Sequence, residues 1–282
     1  MTGDERTGTV LGQARERLAA AGVWDVEGDL SALADRFLVR ADPEAARAEF
    51  EAALAERCAR VPLGHITGSV VFDGLVFAVG SGVFVPRSQS TALIEWAAGK
   101  DVLPPGGRAL DLCSGVGALG IALAARRPDT SVTCVERDDT AVQYLRRNAA
   151  RHAGAAPGVT VEVKDLLVPG CLDELAGGVD LVLANPPYVP PGVRLLPEWS
   201  VHHPKAAVYS GEDGLDLIRA VVGHAGAVLR PGGRLALEHD EAQPALVREL
   251  LAAGGFSEAT TLSDSAGDPR ITVARVTRQE TS

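Results

Sequence analysis

Apolar residues recur every three or four positions through the first sixty residues. The sets are Leu11, Ala14, Leu18 and Ala21, then Leu30, Leu33, Ala34, Phe37 and Leu38, then Phe50, Leu54, Cys58 and Val61. That spacing places each set on one face of a helix and predicts three short amphipathic helices. Asp42-Pro43 marks the start of the third, as an N-cap followed by Pro at the first helical position. Three short helices make a marginal core, so this unit is expected to dock on the remainder of the chain. Two apolar runs, Val70–Phe72 and Leu75–Phe77, then flank Asp73-Gly74. Asp-Gly takes the positive φ angles of a tight primed turn, so a hairpin is predicted. From Arg108 short apolar runs alternate with helical stretches. Strands are predicted at Arg108–Cys113, Ser131–Glu136, Val159–Val163, Val179–Ala184, Arg234–His239, Phe256–Leu262 and Ile271–Val276. Helices are predicted at Asp138–His152 and Gly214–Leu229, among others, and Pro231-Gly232-Gly233 as a tight turn into the fifth strand. The alternation implies a mostly parallel sheet with helices on both faces. The chain divides into a helical unit (1–63), a hairpin linker (64–89) and an α/β unit (90–282).

Composition narrows the partners. The formal charge of −10 gives a field that repels a polyanion, which disfavours a nucleic-acid substrate and favours a protein or a small molecule. Cys58, Cys113, Cys134 and Cys171 lie far apart without a CxxC pair, which suits a reducing compartment and argues against a zinc site. The start, MTGDERTGTV, is polar and acidic, and no apolar run is long enough to span a membrane. A soluble, cytoplasmic protein is expected. Neighbouring histidines such as His202 and His203 rarely share one ion, and no metal is expected.

Gly115, Gly117 and Gly120 form a GxGxxG where a strand gives way to a helix, a turn that lets a ligand approach the helix N-terminus. By itself this also fits a dinucleotide site or a plain strand–helix turn. Two carboxylates redirect it. Asp111, at the mouth of the loop, would repel a pyrophosphate but accept hydrogen bonds from an ammonium. Glu136 ends the next strand, 19 residues after Gly117, where a carboxylate grips ribose hydroxyls. An ammonium and a ribose without phosphate describe S-adenosylmethionine. Asp165, with Leu166 beside it, is placed either to cap an adenine edge or simply to close a strand.

The fourth strand runs into Asn185-Pro186-Pro187-Tyr188. An NH2 group on an sp2 carbon is a poor nucleophile, because its lone pair is delocalised. Two fixed acceptors that hold both N–H bonds aim that lone pair: the Asn185 side-chain oxygen and the Pro186 carbonyl. The prolines stiffen the carbonyl's direction, and Tyr188 offers a flat face to a planar substrate. The chemistry selects planar NH2 groups (glutamine amide, adenine N6, cytosine N4, guanine N2) without choosing among them.

Together these residues resemble the release factor glutamine methyltransferases of the HemK/PrmC type. The likeness extends through Val61–Gly68, Gly82–Arg87, Ser210–Asp216, Leu237-Glu238-His239 and Ala266–Arg270. The resemblance implies a class I S-adenosylmethionine-dependent methyltransferase fold, a Rossmann-like, mostly parallel seven-stranded sheet with an N-terminal helical recognition domain. It implies cofactor contacts at Asp111, Cys113, Ser114, Gly115, Val116, Gly117, Glu136, Asp165, Leu166 and Asn185. Asn185, Pro186, Pro187 and Tyr188, with Phe84 and Arg87, are implied on the substrate side, the target being glutamine N5 in a release factor's Gly-Gly-Gln motif. The chain departs from the family in one respect. Where the family has Pro-(Asp/Glu)-Thr-Glu after Pro-Arg, it reads Ser88-Gln89-Ser90-Thr91, and where acids surround a His-x-Pro it reads His202-His203-Pro204-Lys205. Two explanations stay open: drift at surface positions, or the same chemistry turned to a small-molecule amide. On the second, a release factor is methylated poorly.

Overall fold

The computed structural model describes residues 3–39 and 42–277. Residues 1–2, 40–41 and 278–282, over which the expected units and the N-terminal reading also run, lie outside the described residues. Three helices open the chain: α1 (Gly3–Ala20), α2 (Val26–Phe37) and α3 (Pro43–Cys58). Their apolar stripes meet around Leu18, Leu33, Phe50 and Leu54, all fully buried, each contributing roughly 1.5–3 kcal/mol by burial. Asp42 caps α3 as its sequence predicts, accepting from the Glu44 and Ala45 N–H groups at 3.0 and 3.3 Å. The periodicity gave no hint of the charge inside this unit, where Arg57 Nε reaches Asp29 Oδ2 at 2.5 Å with both groups buried.

After α4 (Leu63–Thr67), β1 (Ser69–Phe72) and β2 (Leu75–Ala78) pair antiparallel about Asp73-Gly74, with φ angles of 50° and 75°. Those angles are the reason for Asp-Gly at this turn. The hairpin is more than a connection. Phe72 and Phe77 enter the core of the α/β unit, and the Asn148 side chain bonds both the N–H and the carbonyl of Ala78.

The α/β unit continues with α5 (Thr91–Ala97), β3 (Arg108–Leu112), α6 (Ala118–Arg126), β4 (Ser131–Glu136), α7 (Asp139–Arg151), β5 (Val159–Val163) and β6 (Val179–Ala184). Then come α8 (Pro197–Ser200), α9 (Asp216–Val228), β7 (Leu229–Glu238), α10 (Pro244–Ala253), β8 (Phe256–Ser263) and β9 (Pro269–Val276). The seven strands are ordered β5-β4-β3-β6-β7-β9-β8, parallel except for β9, which runs antiparallel to both its neighbours. One face packs on α5, α6 and α7 and the other on α9 and α10, each over its own apolar core. This is the Rossmann-like fold of the class I methyltransferases. One boundary differs from expectation. Pro231-Gly232-Gly233 is a bulge inside β7, not a turn before it: Val179 pairs with Leu229 but Leu181 with Arg234. Gly232 takes a φ of 76° there, so the run that reads as a turn is absorbed into a strand that begins five residues early.

Strand order reverses between β3 and β6. In open α/β sheets the loops on either side of that point diverge and leave a crevice at the strands' C-terminal ends. The register places Leu112 opposite Ala184, so the glycine loop after β3 and Asn185 after β6 emerge level with each other.

Candidate active site

Positive φ angles at Cys113, Gly115 and Gly117 (59°, 56° and 87°) turn the chain from β3 into α6. At Gly115 a Cβ would meet nothing, so the positive φ, not crowding, is what favours glycine there. Gly117 is a glycine for a different reason. A Cβ on it would lie 2.3 Å from Leu145 Cδ1 and 2.9 Å from Ile121 Cδ1. Gly117→Ala should therefore cost about 2 kcal/mol of stability, from left-handed strain plus overpacking. Urea unfolding with a midpoint equal to wild type would contradict this.

The loop opens onto a cavity of about 610 Å³, a size suited to a small cofactor with part of a substrate. Cys113, Ser114, Gly115, Val116 and Glu136 line one side, and Asp165 and Leu166 continue it. Asn185, Pro186, Pro187 and Tyr188 line the other, with Phe84 and Arg87 at the rim. Two expected contact residues, Asp111 and Gly117, are not part of the lining: they stand one layer behind it.

Asp111 is fully buried. Its Oδ2 accepts from Gly120 N–H at 2.9 Å, while Oδ1 has no partner. Burial pushes its carboxyl up to about 7, opposed by the Gly120 bond. Glu136 is tied from both sides, Oε2 to Gly115 N–H (2.8 Å) and Oε1 to the N–H groups of Arg137 (2.7 Å) and Asp138 (2.9 Å). Oε1 spends both of its lone pairs on those two bonds, and Oε2 keeps one for the cavity. Asp165 accepts from Leu167 N–H at 2.9 Å and from Arg137 at 3.1 Å, so its carboxylate braces its own turn as well as facing the cavity.

Opposite, Asn185 Nδ2 donates to Ser90 Oγ at 3.2 Å, which leaves the amide oxygen for the cavity. Among the described residues nothing donates to the Pro186 carbonyl. The Tyr188 carbonyl is held by Gln243 Nε2 at 3.0 Å and lies against Gly214, where a Cβ would come within 2.3 Å of it. That close approach explains the second glycine of Ser-Gly-Glu-Asp-Gly.

Sequence reasoning placed Phe84 and Arg87 on the substrate side but missed the aromatic wall they form with Trp199 and His203. Trp199, Phe84 and His203 pack with ring centroids 4.9–5.7 Å apart, and the Arg87 guanidinium lies 4.6 Å over Trp199. Burial, then the charges of His65, His202 and Arg87, lower the His203 pKa to about 3, so the ring is neutral and its Nε2 accepts from Val85 N–H. His202 turns away to the Ala59 carbonyl (3.2 Å). Glu238, Arg270 and Ser90 were also missed as site residues. The positions that depart in acidity from the family pattern, Gln89, Thr91, His203 and Lys205, do not line the cavity. Ser90, which stands where that pattern has Thr, does line it and keeps a hydroxyl there.

Against known proteins, residues 88–194 match the family described as "Methyltransferase small domain". A release factor glutamine methyltransferase of Mycolicibacterium smegmatis is 41% identical over 97% of this chain and 99% of its own length. Proteins of the same name are 40% identical in Mycobacterium tuberculosis (77% of this chain, 71% of that one) and 37% in Streptomyces coelicolor (94% and 96%). At that identity, sustained over that length, the chain belongs to the release factor glutamine methyltransferase family.

Proposed function

We propose that this enzyme methylates the side-chain amide nitrogen of the glutamine in a release factor's Gly-Gly-Gln loop, using S-adenosylmethionine. The observation that carries the reading is the pairing at the strand-order reversal: a glycine loop backed by buried Asp111 faces two acceptors, Asn185 and Pro186, across one cavity. The donor set fits the cofactor. Asp111 Oδ1 is a buried acceptor without a donor, suited to an ammonium, and Glu136 Oε2 keeps acceptor capacity for a ribose hydroxyl. Leu166 and Val116 offer apolar surface for an adenine, with Asp165 at its edge.

Bound there, S-adenosylmethionine supplies a methyl group made electrophilic by its sulfonium. The chain's own part is orientation. Asn185 Oδ1 and the Pro186 carbonyl each accept one N–H of the substrate amide, and Tyr188 flanks its plane. Holding both N–H bonds turns the nitrogen lone pair out of conjugation, an orientation effect worth several kcal/mol. No side chain is needed to remove a proton beforehand, because the alkylated nitrogen is acidic and releases its proton to water afterwards. The helical unit (1–63), tied to the aromatic wall through Glu198, is assigned to gripping the protein substrate. No helix among the described residues is long and apolar enough to cross a membrane.

The direct experiment incubates purified release factor with enzyme and S-adenosylmethionine and weighs the Gly-Gly-Gln peptide by mass spectrometry. One added methyl on the glutamine is expected. An unmodified glutamine, from enzyme that binds S-adenosylhomocysteine normally, would overturn the substrate. Gln89→Glu with Thr91→Glu should change the rate by less than about twofold, since neither side chain lines the cavity.

Asp111 gives a pH signature. Between its ordinary value of 3.8 and about 7, the folded chain keeps a proton that the unfolded chain has lost. Stability contributed by this group therefore falls as pH rises through that window. Melting temperatures of the ligand-free protein should drop between about pH 5 and pH 8 more steeply in wild type than in Asp111→Asn. S-adenosylhomocysteine, bringing an ammonium, should remove most of that difference. A difference untouched by the ligand would take the ammonium away from Asp111.

A further inference from the structure

Ser90 and Glu238 lie just behind Asn185, and both are buried, at 3% and 2% exposure. Glu238 ends β7, the strand beside β6, and the register that sets Ala184 opposite Leu237 brings Glu238 level with Asn185. Ser90 Oγ donates to Glu238 Oε2 at 2.5 Å and accepts from Asn185 Nδ2 at 3.2 Å. The other carboxylate oxygen faces the Tyr188 hydroxyl at 3.4 Å.

We infer that Ser90 and Glu238 are positioning residues that hold the Asn185 amide with its oxygen toward the substrate nitrogen. This rests on Asn185 being the acceptor for the substrate NH2. The direction follows from counting protons. An ionised carboxylate only accepts, and a serine hydroxyl has one proton. Ser90 donates its one O–H to Glu238 and is left with lone pairs alone for its other neighbour. Asn185 must then present its NH2 to Ser90 and its oxygen to the cavity. An amide with no such bias could turn over and offer two donors to a substrate that itself brings donors.

The same counting yields a pH dependence. Burial pushes the Glu238 carboxyl upward, opposed by the Ser90 bond, by the charges of Arg87 and Arg270, and by Tyr188. A protonated Glu238 donates to Ser90, the Ser90 hydroxyl turns to donate a hydrogen bond to the Asn185 oxygen, and the row of donors reverses. The turned amide then faces the cavity with its NH2. Turnover at saturating cofactor and release factor should accordingly fall as pH drops through the Glu238 pKa.

The test compares kcat across pH for wild type, Ser90→Ala, Ser90→Thr, Glu238→Gln and Asn185→Ala, with S-adenosylhomocysteine affinity measured by calorimetry in each. Ser90→Ala should lose about tenfold in kcat at unchanged cofactor affinity, while Ser90→Thr, which keeps the hydroxyl, stays within about threefold of wild type. Glu238→Gln, close in shape, should lose the acid limb of the kcat profile. Equal losses in Ser90→Ala and Ser90→Thr would mean a packing role and overturn the proposal, as would an acid limb that persists in Glu238→Gln. Should Ser90→Ala not fold, the Glu238→Gln profile decides alone. Wild-type kcat in Asn185→Ala overturns the acceptor reading beneath the proposal. A low kcat there beside wild-type kcat in Ser90→Ala overturns the relay alone.

Discussion

Asn185→Ala is expected to lower kcat for release-factor methylation by about 10²-fold or more, with S-adenosylhomocysteine affinity altered only a few-fold. Truncation removes one of two acceptors and leaves the Pro186 carbonyl to hold the substrate amide by a single N–H. An amide held at one point rotates about that bond, and its lone pair returns to conjugation with the carbonyl. The loss is confined to the reacting geometry, which is why it belongs in kcat. A factor of 10² corresponds to about 2.7 kcal/mol, the scale of one well-placed hydrogen bond to a reacting group. The glycine loop and Glu136 are left in place, so the cofactor side should register little. Single-turnover rates separate the step from product release, and a rate within about threefold of wild type would assign the amide to other acceptors.

The largest stability effect is expected from Arg57. Its guanidinium is 7% exposed and bonds Asp29 in the helical unit, Glu198 beside the aromatic wall and the Val61 carbonyl between them. Arg57→Ala strands the Asp29 carboxylate, whose pKa burial already raises, and halves the cationic support of Glu198. Breaking a buried pair from one side costs about 3–5 kcal/mol, and escape of Asp29 by protonation places this variant near the lower figure. Arg60→Ala should cost less, because Glu198 keeps Arg57 and the vacated site lies nearer to solvent. Urea unfolding of the intact protein measures both, and a loss below about 1 kcal/mol in Arg57→Ala would show that water reaches the pair.

Much of this architecture was legible because local signals agreed with the fold. Asp42-Pro43 capped a helix, Asp73-Gly74 turned a hairpin, and the apolar run Val179–Ala184 became a strand buried on both faces. The candidate site was legible where backbone conformation favours glycine, as at Gly115, or where the motif is rare, as at Asn185–Tyr188. What stayed hidden depends on strand order. Nothing near Glu238 in sequence says that it will stand beside Asn185, since only the adjacency of β6 and β7 brings them together. Trp199 is likewise one aromatic in a polar stretch until the fold sets it against Phe84 and Arg87. Asp111 shows the opposite limit. It was read as standing at the mouth of the loop, yet it is fully buried behind the cavity lining and one of its oxygens is spent on Gly120, a bond set by how closely α6 approaches β3.

The Arg57–Glu198–Arg60 cluster bears on how chimeras of this enzyme should be cut. A crossover after Val61, between α3 and α4, would look harmless on a contact diagram. It would carry both guanidinium groups away with the transplanted helices and leave Glu198 behind, 12% exposed and facing whatever the donor sequence supplies. A graft meant to change which protein is gripped must therefore bring its own partner for α8, or move residues 197–200 along with the helices. The cut that respects the charges runs through two places in the chain, not one.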